Sequence, residues 1–233
     1  MLDRTLAPEI HEISKVEFQY VREEILPNGV LFASLESGDQ EVVKLEVIFP
    51  NAGNKSEIHK GQASMAVSML KEGTASFSSA EITHNFSNLG AYIEVNPGFD
   101  NASVAMYCLD KHVKPLLPLF SEILHAPSFE GKELELQKEL QMAQLLVQNK
   151  KNSVLASKGI RQAIFGSGHP YGRIISENDI RDLQAAHLNG FWKKSKNNFE
   201  VLLSGAPSKF TIDAIRNLFG SKMNFEFKES GWR

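Results

Sequence analysis

The sequence predicts an α+β domain, a two-layer sandwich in which helices pack on one face of a largely antiparallel sheet. Apolar residues alternate with polar ones in several short runs of the first half, which is typical of half-buried strands. Asn28-Gly29 is a hairpin-turn signal between two of these runs. The second half shows mainly helical periodicity, and strands and helices do not alternate strictly, which favours this fold class.

The first half of the chain contains most of the predicted strands. Val43, Leu45, Val47 and Phe49 alternate along one face of the third strand, and the segment 50–54 breaks it with Pro, Asn and Gly. The elements predicted in this half are strands at 23–26, 30–35 and 42–49, helices at 61–72 and 79–89, and strands at 91–95 and 102–109.

The second half is predicted to be mostly helical. Leu116, Phe120 and Ile123 recur at helix spacing, and Asn152-Ser153 can cap a later helix. The elements predicted here are helices at 113–125, 131–147, 152–165 and 179–192, a strand at 199–204 and a helix at 208–219, with a loop at 166–172.

Composition excludes several function classes. The chain has 233 residues, of which 42% are hydrophobic and 23% charged, and its formal net charge is -3. This charge provides no attraction to nucleic acid or to an anionic membrane. No stretch approaches the roughly 18 apolar residues of a membrane span, and the N-terminus lacks the features of a signal peptide. We therefore expect a cytoplasmic protein with neither nucleic-acid nor membrane partners.

The single cysteine, Cys108, lies in a strand-like run and is expected to be a buried thiol rather than a nucleophile. One cysteine excludes both an internal disulfide and a multi-cysteine zinc site. No two of the seven histidines are three or four residues apart, so no helix presents a histidine pair. We expect His169 to make a loop hydrogen bond, and Glu57 and His59 to lie on the surface.

Six segments, in order, resemble the pitrilysin/insulinase family of inverted-motif zinc peptidases, which includes the mitochondrial processing peptidases. They are LPNGV, KGQASMAVSMLKEGT, LGAYIEVNPGFDNASVAMYCL, PSFEGKELELQKELQMAQLL, GHPYGR and FEVLLSGA, and together they extend over about 26–221. The resemblance implies a metalloendopeptidase-like unit of the processing-peptidase type.

The resemblance also implies where the chemistry of active members would lie. Those members carry His-x-x-Glu-His on the motif helix, with two zinc ligands and a general base, and a later glutamate as third ligand. The ligand positions fall on Ser64, Ser68 and Leu145, and the base position falls on Val67. A neutral hydroxyl is a poor zinc ligand and valine cannot accept a proton. We expect no catalytic residue, no metal ligand and no cofactor, with the Ser68 hydroxyl able to bond the Ser64 carbonyl.

In this family an extended peptide is thought to add to the edge strand that follows the motif helices. The resemblance makes Glu94, Val95 and Asn96 weak candidates for peptide binding. Pro97 removes a backbone donor and Gly98 weakens the strand, so both put peptide pairing in doubt.

Three functions follow from the resemblance. The first is a non-catalytic, chamber-forming or peptide-holding subunit or half beside an active zinc-peptidase homologue. Residues 1–25 would then be an extended lead-in, 26–222 one domain, and 223–233 the start of a linker to a second homologous domain. The second is a stand-alone interaction or structural domain. The third is a metallopeptidase with non-standard ligands, for which Glu57, His59 and Glu139 are the candidates.

Overall fold

The computed structural model describes residues 19–38 and 40–221, so the start of the predicted lead-in and the predicted linker at 223–233 lie outside the described residues. The strands are β1 (Arg22–Ile25), β2 (Leu31–Glu36), β3 (Val42–Phe49), β4 (Tyr92–Pro97), β5 (Ala102–Leu109) and β6 (Glu200–Gly205). The helices are α1 (Gln62–Ser68), α2 (Ser79–Asn88), α3 (Asp110–His125), α4 (Gly131–Gln148), α5 (Asn152–Phe165), α6 (Glu177–Arg181), α7 (Ala185–Ser195) and α8 (Lys209–Gly220).

The six strands form one sheet in the order β1-β2-β6-β3-β5-β4. The pairing of β2 with β6 is parallel and the other four pairings are antiparallel. The predicted α+β class and the largely antiparallel sheet are therefore confirmed. Strand β1 lies within the last residues of the predicted lead-in and pairs with β2 through the Asn28-Gly29 turn.

The core lies between the helices and one face of the sheet. Strand β3 alternates buried and partly exposed residues along its length, as its apolar pattern predicts. Trp192 on α7 is buried, packs edge-on against Phe49 of β3 with ring centroids 4.9 Å apart, and donates a hydrogen bond to the Leu124 carbonyl. Burial of these large side chains supplies the main driving force for folding.

The predicted single helix at 179–192 is wrong, because the structure contains two helices there. Ser176 and Asp179 form a capping box that starts α6 at Glu177, two residues earlier than predicted. Gln184 is extended, with φ −125° and ψ 153°, and its backbone amide donates to His187 Nδ1 of α7 at 3.2 Å. Leu183, in the break, is buried. Apolar periodicity alone cannot detect this break, since the buried Leu183 continues the pattern.

Helices α4 and α5 differ from the other long helices in how little they bury. Only Leu134 and Lys138 of α4 are buried, and no residue of α5 is. Each helix therefore touches the domain along a narrow strip. Among the described residues, no helix is long and apolar enough to span a bilayer.

Candidate functional site

The motif helix α1 lies between two glycines whose backbone angles exclude most other residues. Gly61 has φ +80° and Gly73 has φ +147°, both in the region that favours glycine. After Gly73, the Thr74 hydroxyl donates to Glu122 Oε1 of α3 at 2.8 Å. The Lys-Gly and Gly-Thr flanks of the motif therefore fix the position of α1 in the domain.

Polar side chains hold the beginning of α1. Gln62 Oε1 accepts hydrogen bonds from the backbone of Ile58 and His59, and Gln62 Nε2 donates to the His187 carbonyl of α7 at 2.6 Å. Glu57 is only 8% exposed, so the prediction that it lies on the surface is wrong. Its Oε2 accepts from the Ala63 amide at 3.3 Å, and burial raises its pKa above the ordinary glutamate value.

The motif positions occupy one side of α1. Ser64 and Ser68 are partly buried, and Val67 is 0% exposed. Neither serine hydroxyl makes a hydrogen bond to any described residue, so the Ser68-to-Ser64 bond that the sequence allows is not formed. The two hydroxyls therefore remain free to meet solvent or a ligand, while the side chain at the base position is part of the core.

Leu145, which the resemblance assigns to the third ligand position, lies on α4. It is partly buried and packs against the hydrophobic core. Helix α4 also approaches the turn of 3-10 helix, Met69–Lys71, that continues α1. Both helices that the family's metal site uses are therefore present, and the position that the resemblance assigns to the third ligand holds an apolar side chain.

These four residues do not fit a zinc ion. Zinc requires imidazole, thiolate or carboxylate donors, and the set supplies two hydroxyls and two hydrocarbon side chains. Within residues 19–38 and 40–221, no group of three or more His, Cys, Asp or Glu could hold a metal ion. Three residues were the candidates for non-standard ligands. Glu57 accepts a hydrogen bond at the start of α1, His59 stacks on His187 with ring centroids 3.9 Å apart, and Glu139 is exposed on α4.

The His-Pro-Tyr-Gly-Arg loop contacts the turn of the β4–β5 hairpin. Tyr171 Oη donates to Asp100 Oδ1 at 2.5 Å, which lowers the pKa of Asp100 and raises that of Tyr171. Phe99 packs edge-on against the Tyr171 ring at 5.4 Å. His169 Nδ1 accepts from the Tyr171 amide, confirming the predicted loop hydrogen bond. A Cβ at Gly172 would lie 2.0 Å from the Gly166 carbonyl oxygen, so only glycine fits there.

The predicted peptide-binding strand is β4, which lies at the edge of the sheet. Glu94 and Asn96 are exposed, and Val95 packs against the core. The strand extends to Pro97, two residues further than predicted, so the proline removes a donor only from its end. A groove of about 210 Å³ runs beside β4 against α2 and includes Ile82, Phe86, Tyr92 and Ile93. Peptide binding at Glu94, Val95 and Asn96 stays a prediction.

A second cleft was not predicted from the sequence. It has a volume of about 430 Å³ and lies between the segment before α1 and helix α7, where the stacked rings of His59 and His187 form part of its wall with Lys194. These residues come from distant parts of the chain, so no local pattern could have revealed the cleft.

Two titratable groups with shifted pKa values lie away from the motif. Cys108 is buried, as expected, and burial raises the pKa of its thiol to about 11. Burial, followed by the charge of Lys196, lowers the pKa of His125 to about 4. At neutral pH the thiol is therefore protonated and the imidazole is neutral, which suits structural rather than catalytic roles.

The fold and the altered motif helix together define a zinc-peptidase-like unit without the donors of the metal site. The sequence model of the insulinase family, peptidase family M16, matches residues 32–176, more than half of the chain. The chain belongs to this family. No curated protein matches it.

Solved structures show the same fold at low identity. The inactive domain of peptidase M16 from Pseudomonas fluorescens is 24% identical, with a TM-score of 0.77 over 87% of this chain and 50% of that one. A protease from Helicobacter pylori is 16% identical, with a TM-score of 0.75 over 93% and 54%. The first half of the periplasmic protease PqqL from Escherichia coli is 14% identical, with a TM-score of 0.75 over 90% and 48%. The chain thus spans about half the length of these structures.

Proposed function

We propose that this chain is a non-catalytic M16 unit that acts beside an active M16 peptidase unit, where it helps to enclose and hold peptide. One observation carries the proposal. Both helices that the family's metal site uses are present, while the positions that the resemblance assigns to ligands and base hold Ser64, Val67, Ser68 and Leu145. A unit that has this fold without the metal donors contributes to an assembly through its shape and its binding surface.

Two further observations support a role beside a second unit. One solved relative is described as the inactive domain of an M16 peptidase, so non-catalytic units of this fold exist. The edge strand β4 and the groove against α2 offer a place where an extended peptide could add to the sheet.

The test is reconstitution with an M16 homologue from the same source that carries an intact His-x-x-Glu-His motif. Zinc content would be measured by mass spectrometry, and cleavage of fluorogenic peptides would be followed for each protein alone and for the mixture. We expect this chain alone to bind no stoichiometric zinc and to cleave nothing. We expect the mixture to form a stoichiometric complex that cleaves faster than the homologue alone.

Chelator-sensitive cleavage by this chain alone would contradict the proposal and favour a metallopeptidase with non-standard ligands. A homologue that neither binds this chain nor changes its rate would favour the alternative function, a stand-alone interaction domain. The core that the described residues form among themselves supports this alternative, because one unit then folds around its own core.

The cytoplasmic location stays a separate proposal. The relative from Escherichia coli is described as a periplasmic protease. Cell fractionation with an antibody against this chain decides between the two compartments.

A further inference from the structure

The cleft between the segment before α1 and helix α7 has the size of a ligand pocket. Its volume of about 430 Å³ lies within the range of roughly 300–1,000 Å³ that is typical of small-molecule sites. We call it the His59–His187 cleft, because the stacked rings of these two residues form part of its wall. None of the four positions that the resemblance assigns to the metal site lines it, so it is a separate feature of the domain.

Hydrogen bonds hold the two sides of the His59–His187 cleft together. Gln62 Nε2 donates to the His187 carbonyl at 2.6 Å, and the Ser195 hydroxyl donates to the Asn51 carbonyl at 2.9 Å. Each bond joins the segment 51–62 to helix α7. The walls are therefore ordered before a ligand enters, and binding loses little free energy to ordering them.

Three side chains on the wall of the cleft have hydrogen-bond donors available. His187 Nδ1 accepts from the Gln184 amide at 3.2 Å, so the hydrogen of the neutral ring is on Nε2, which can donate. The ring nitrogens of His59 and the exposed amine of Lys194 make no hydrogen bond to any described residue. The partners of these groups therefore come from outside the part of the chain that the structure describes.

The charges that line the cleft are of one sign. Among the described residues that form its lining, Lys194 is positive, two are histidines, and none is Asp or Glu. Glu57, in the same segment, directs its carboxylate to the Ala63 amide at the start of α1. Asp179 of α6 lies 4.0 Å from the amine of Lys60. The lining therefore attracts a negative group, although the whole chain has a formal net charge of -3.

Apolar side chains lie beside these donors. Ile58 is 75% exposed, and Phe191 lines the cleft from α7. A ligand that covers Ile58 removes apolar area from water, which favours binding. Apolar surface with a few polar groups is typical of sites for small organic molecules. The cleft thus suits an anion with an apolar body better than an inorganic ion, which would leave most of the volume to water.

We propose that the His59–His187 cleft binds a small organic anion. The anionic group, a carboxylate or a phosphate, accepts hydrogen bonds from the Lys194 amine and from the rings of His59 and His187. The apolar body of the ligand covers Ile58 and Phe191. The inference goes beyond the proposed function and is independent of it, because this site needs no M16 partner.

The experiment measures the binding of three probes to the full chain by isothermal titration calorimetry. Benzoate and phenyl phosphate each join an anionic group to a flat apolar ring, and benzamide is the neutral analogue of benzoate. We expect at least one anion to bind with a dissociation constant below about 1 mM, which a ligand of about ten non-hydrogen atoms can reach. Benzamide should bind about tenfold more weakly than benzoate or worse, because it lacks the charge.

Two pairs of variants assign the binding to this cleft. Lys194→Gln removes the ammonium group, and Lys193→Gln is its matched control, because Lys193 is exposed on the same helix but does not line the cleft. His59→Gln removes one ring, and its control is His84→Gln at an exposed histidine of α2. We expect each test variant to weaken anion binding by about tenfold and each control by less than about twofold. The melting temperature checks that all four variants fold.

Each other outcome decides for or against the proposal. If neither anion binds with a dissociation constant below about 1 mM, the proposal is overturned. It is also overturned if benzamide binds as tightly as benzoate, because the site then does not select a charge. A test variant that binds no more weakly than its control overturns the assignment to this cleft. Tighter binding of phenyl phosphate than of benzoate, or the reverse, supports the proposal and identifies the anionic group.

Discussion

Helices α1 and α5 depart from ordinary amphipathic design in opposite directions. Five of the seven residues of α1 are buried, and its two partly exposed serines are the residues that the resemblance aligns with metal ligands. None of the fourteen residues of α5 is buried, and its most exposed large apolar side chains are isoleucines. One helix has lost polar chemistry inside the domain, whereas the other displays apolar surface outside it.

This difference separates residues that stabilise the fold from residues that are available for association. A helix with a buried face contributes to folding free energy through packing, so substitutions there act on stability. A helix with an unpartnered apolar face contributes little to the isolated domain, so substitutions there act on association. We therefore expect the same kind of substitution to have very different effects on the two helices.

The largest expected effect comes from placing a carboxylate in each helix. Val67→Glu puts a charge at a site with no exposure and no partner, so we expect the free energy of unfolding to fall by about 3–5 kcal/mol. Ile160→Glu should change it by less than about 0.5 kcal/mol, because that side chain is already in solvent. Urea denaturation measures both values. Equal losses in the two variants would show that α5 is as important for folding as α1.

The next largest effect is the stabilisation by zinc of a variant that carries metal-binding residues on α1 and α4. The combined variant Ser64→His, Val67→Glu, Ser68→His and Leu145→Glu places the family's ligand and base residues at the positions that the resemblance assigns to them, so we expect it to bind zinc. Zinc at about 100 times its dissociation constant then stabilises the variant by about 2.7 kcal/mol, and the melting temperature rises. The unmodified chain should show no such rise.

We expect no peptide cleavage by this combined variant alone, because the proposed function places the second unit of the active assembly elsewhere. Fluorogenic peptides measure this under the same zinc conditions. Turnover by the variant alone would contradict the view that one unit is insufficient, while leaving the assignment of the ligand positions intact.

A smaller effect is the pH dependence of the free energy of unfolding. His125, at the end of α3, titrates near pH 4 in the folded chain and near 6.5 when unfolded. Its contribution is fully present above pH 6.5 and is lost as the pH falls toward 4, because only the unfolded state binds the proton in that window. Between pH 7 and 5 the loss is about 2 kcal/mol.

The measurement is urea denaturation at several pH values for the unmodified chain and for His125→Gln. The variant should show a flatter dependence on pH by about this amount, whatever its absolute stability. Parallel curves would mean that the imidazole does not resist protonation in the folded state.

Local patterns in the sequence predicted the sheet and most helices, and contacts between distant segments explain what they missed. Alternation along β3 predicted its buried face correctly because burial of a strand follows a period of two. The break at Leu183 was missed because a buried leucine in an extended segment looks like one in a helix. Glu57 was misplaced because its burial and its bond to the Ala63 amide depend on how the segment before α1 folds against the helix, which local periodicity does not report.

The candidate site was likewise predicted only in part. The resemblance placed Ser64, Ser68 and Leu145 on two helices, and the structure has both helices. The exposure of Ile160 and Ile164 could not be predicted, since their spacing is typical of a helix that faces its own core. Which side of a helix meets the domain depends on its connections, and periodicity carries no information about them.

The smallest expected effect tests whether the two serines of α1 serve the fold. Their hydroxyls are partly exposed and bond no described residue, so Ser64→Ala and Ser68→Ala remove no hydrogen bond within that part of the chain. Alanine also has the higher helix propensity, so the free energy of unfolding should stay within about 0.5 kcal/mol or rise slightly. Urea denaturation measures this, with Ser195→Ala as the contrast, because the Ser195 hydroxyl donates to the Asn51 carbonyl at 2.9 Å. A loss above about 1 kcal/mol at either motif serine would mean that the hydroxyl holds the domain together, and the former metal face would then be structural.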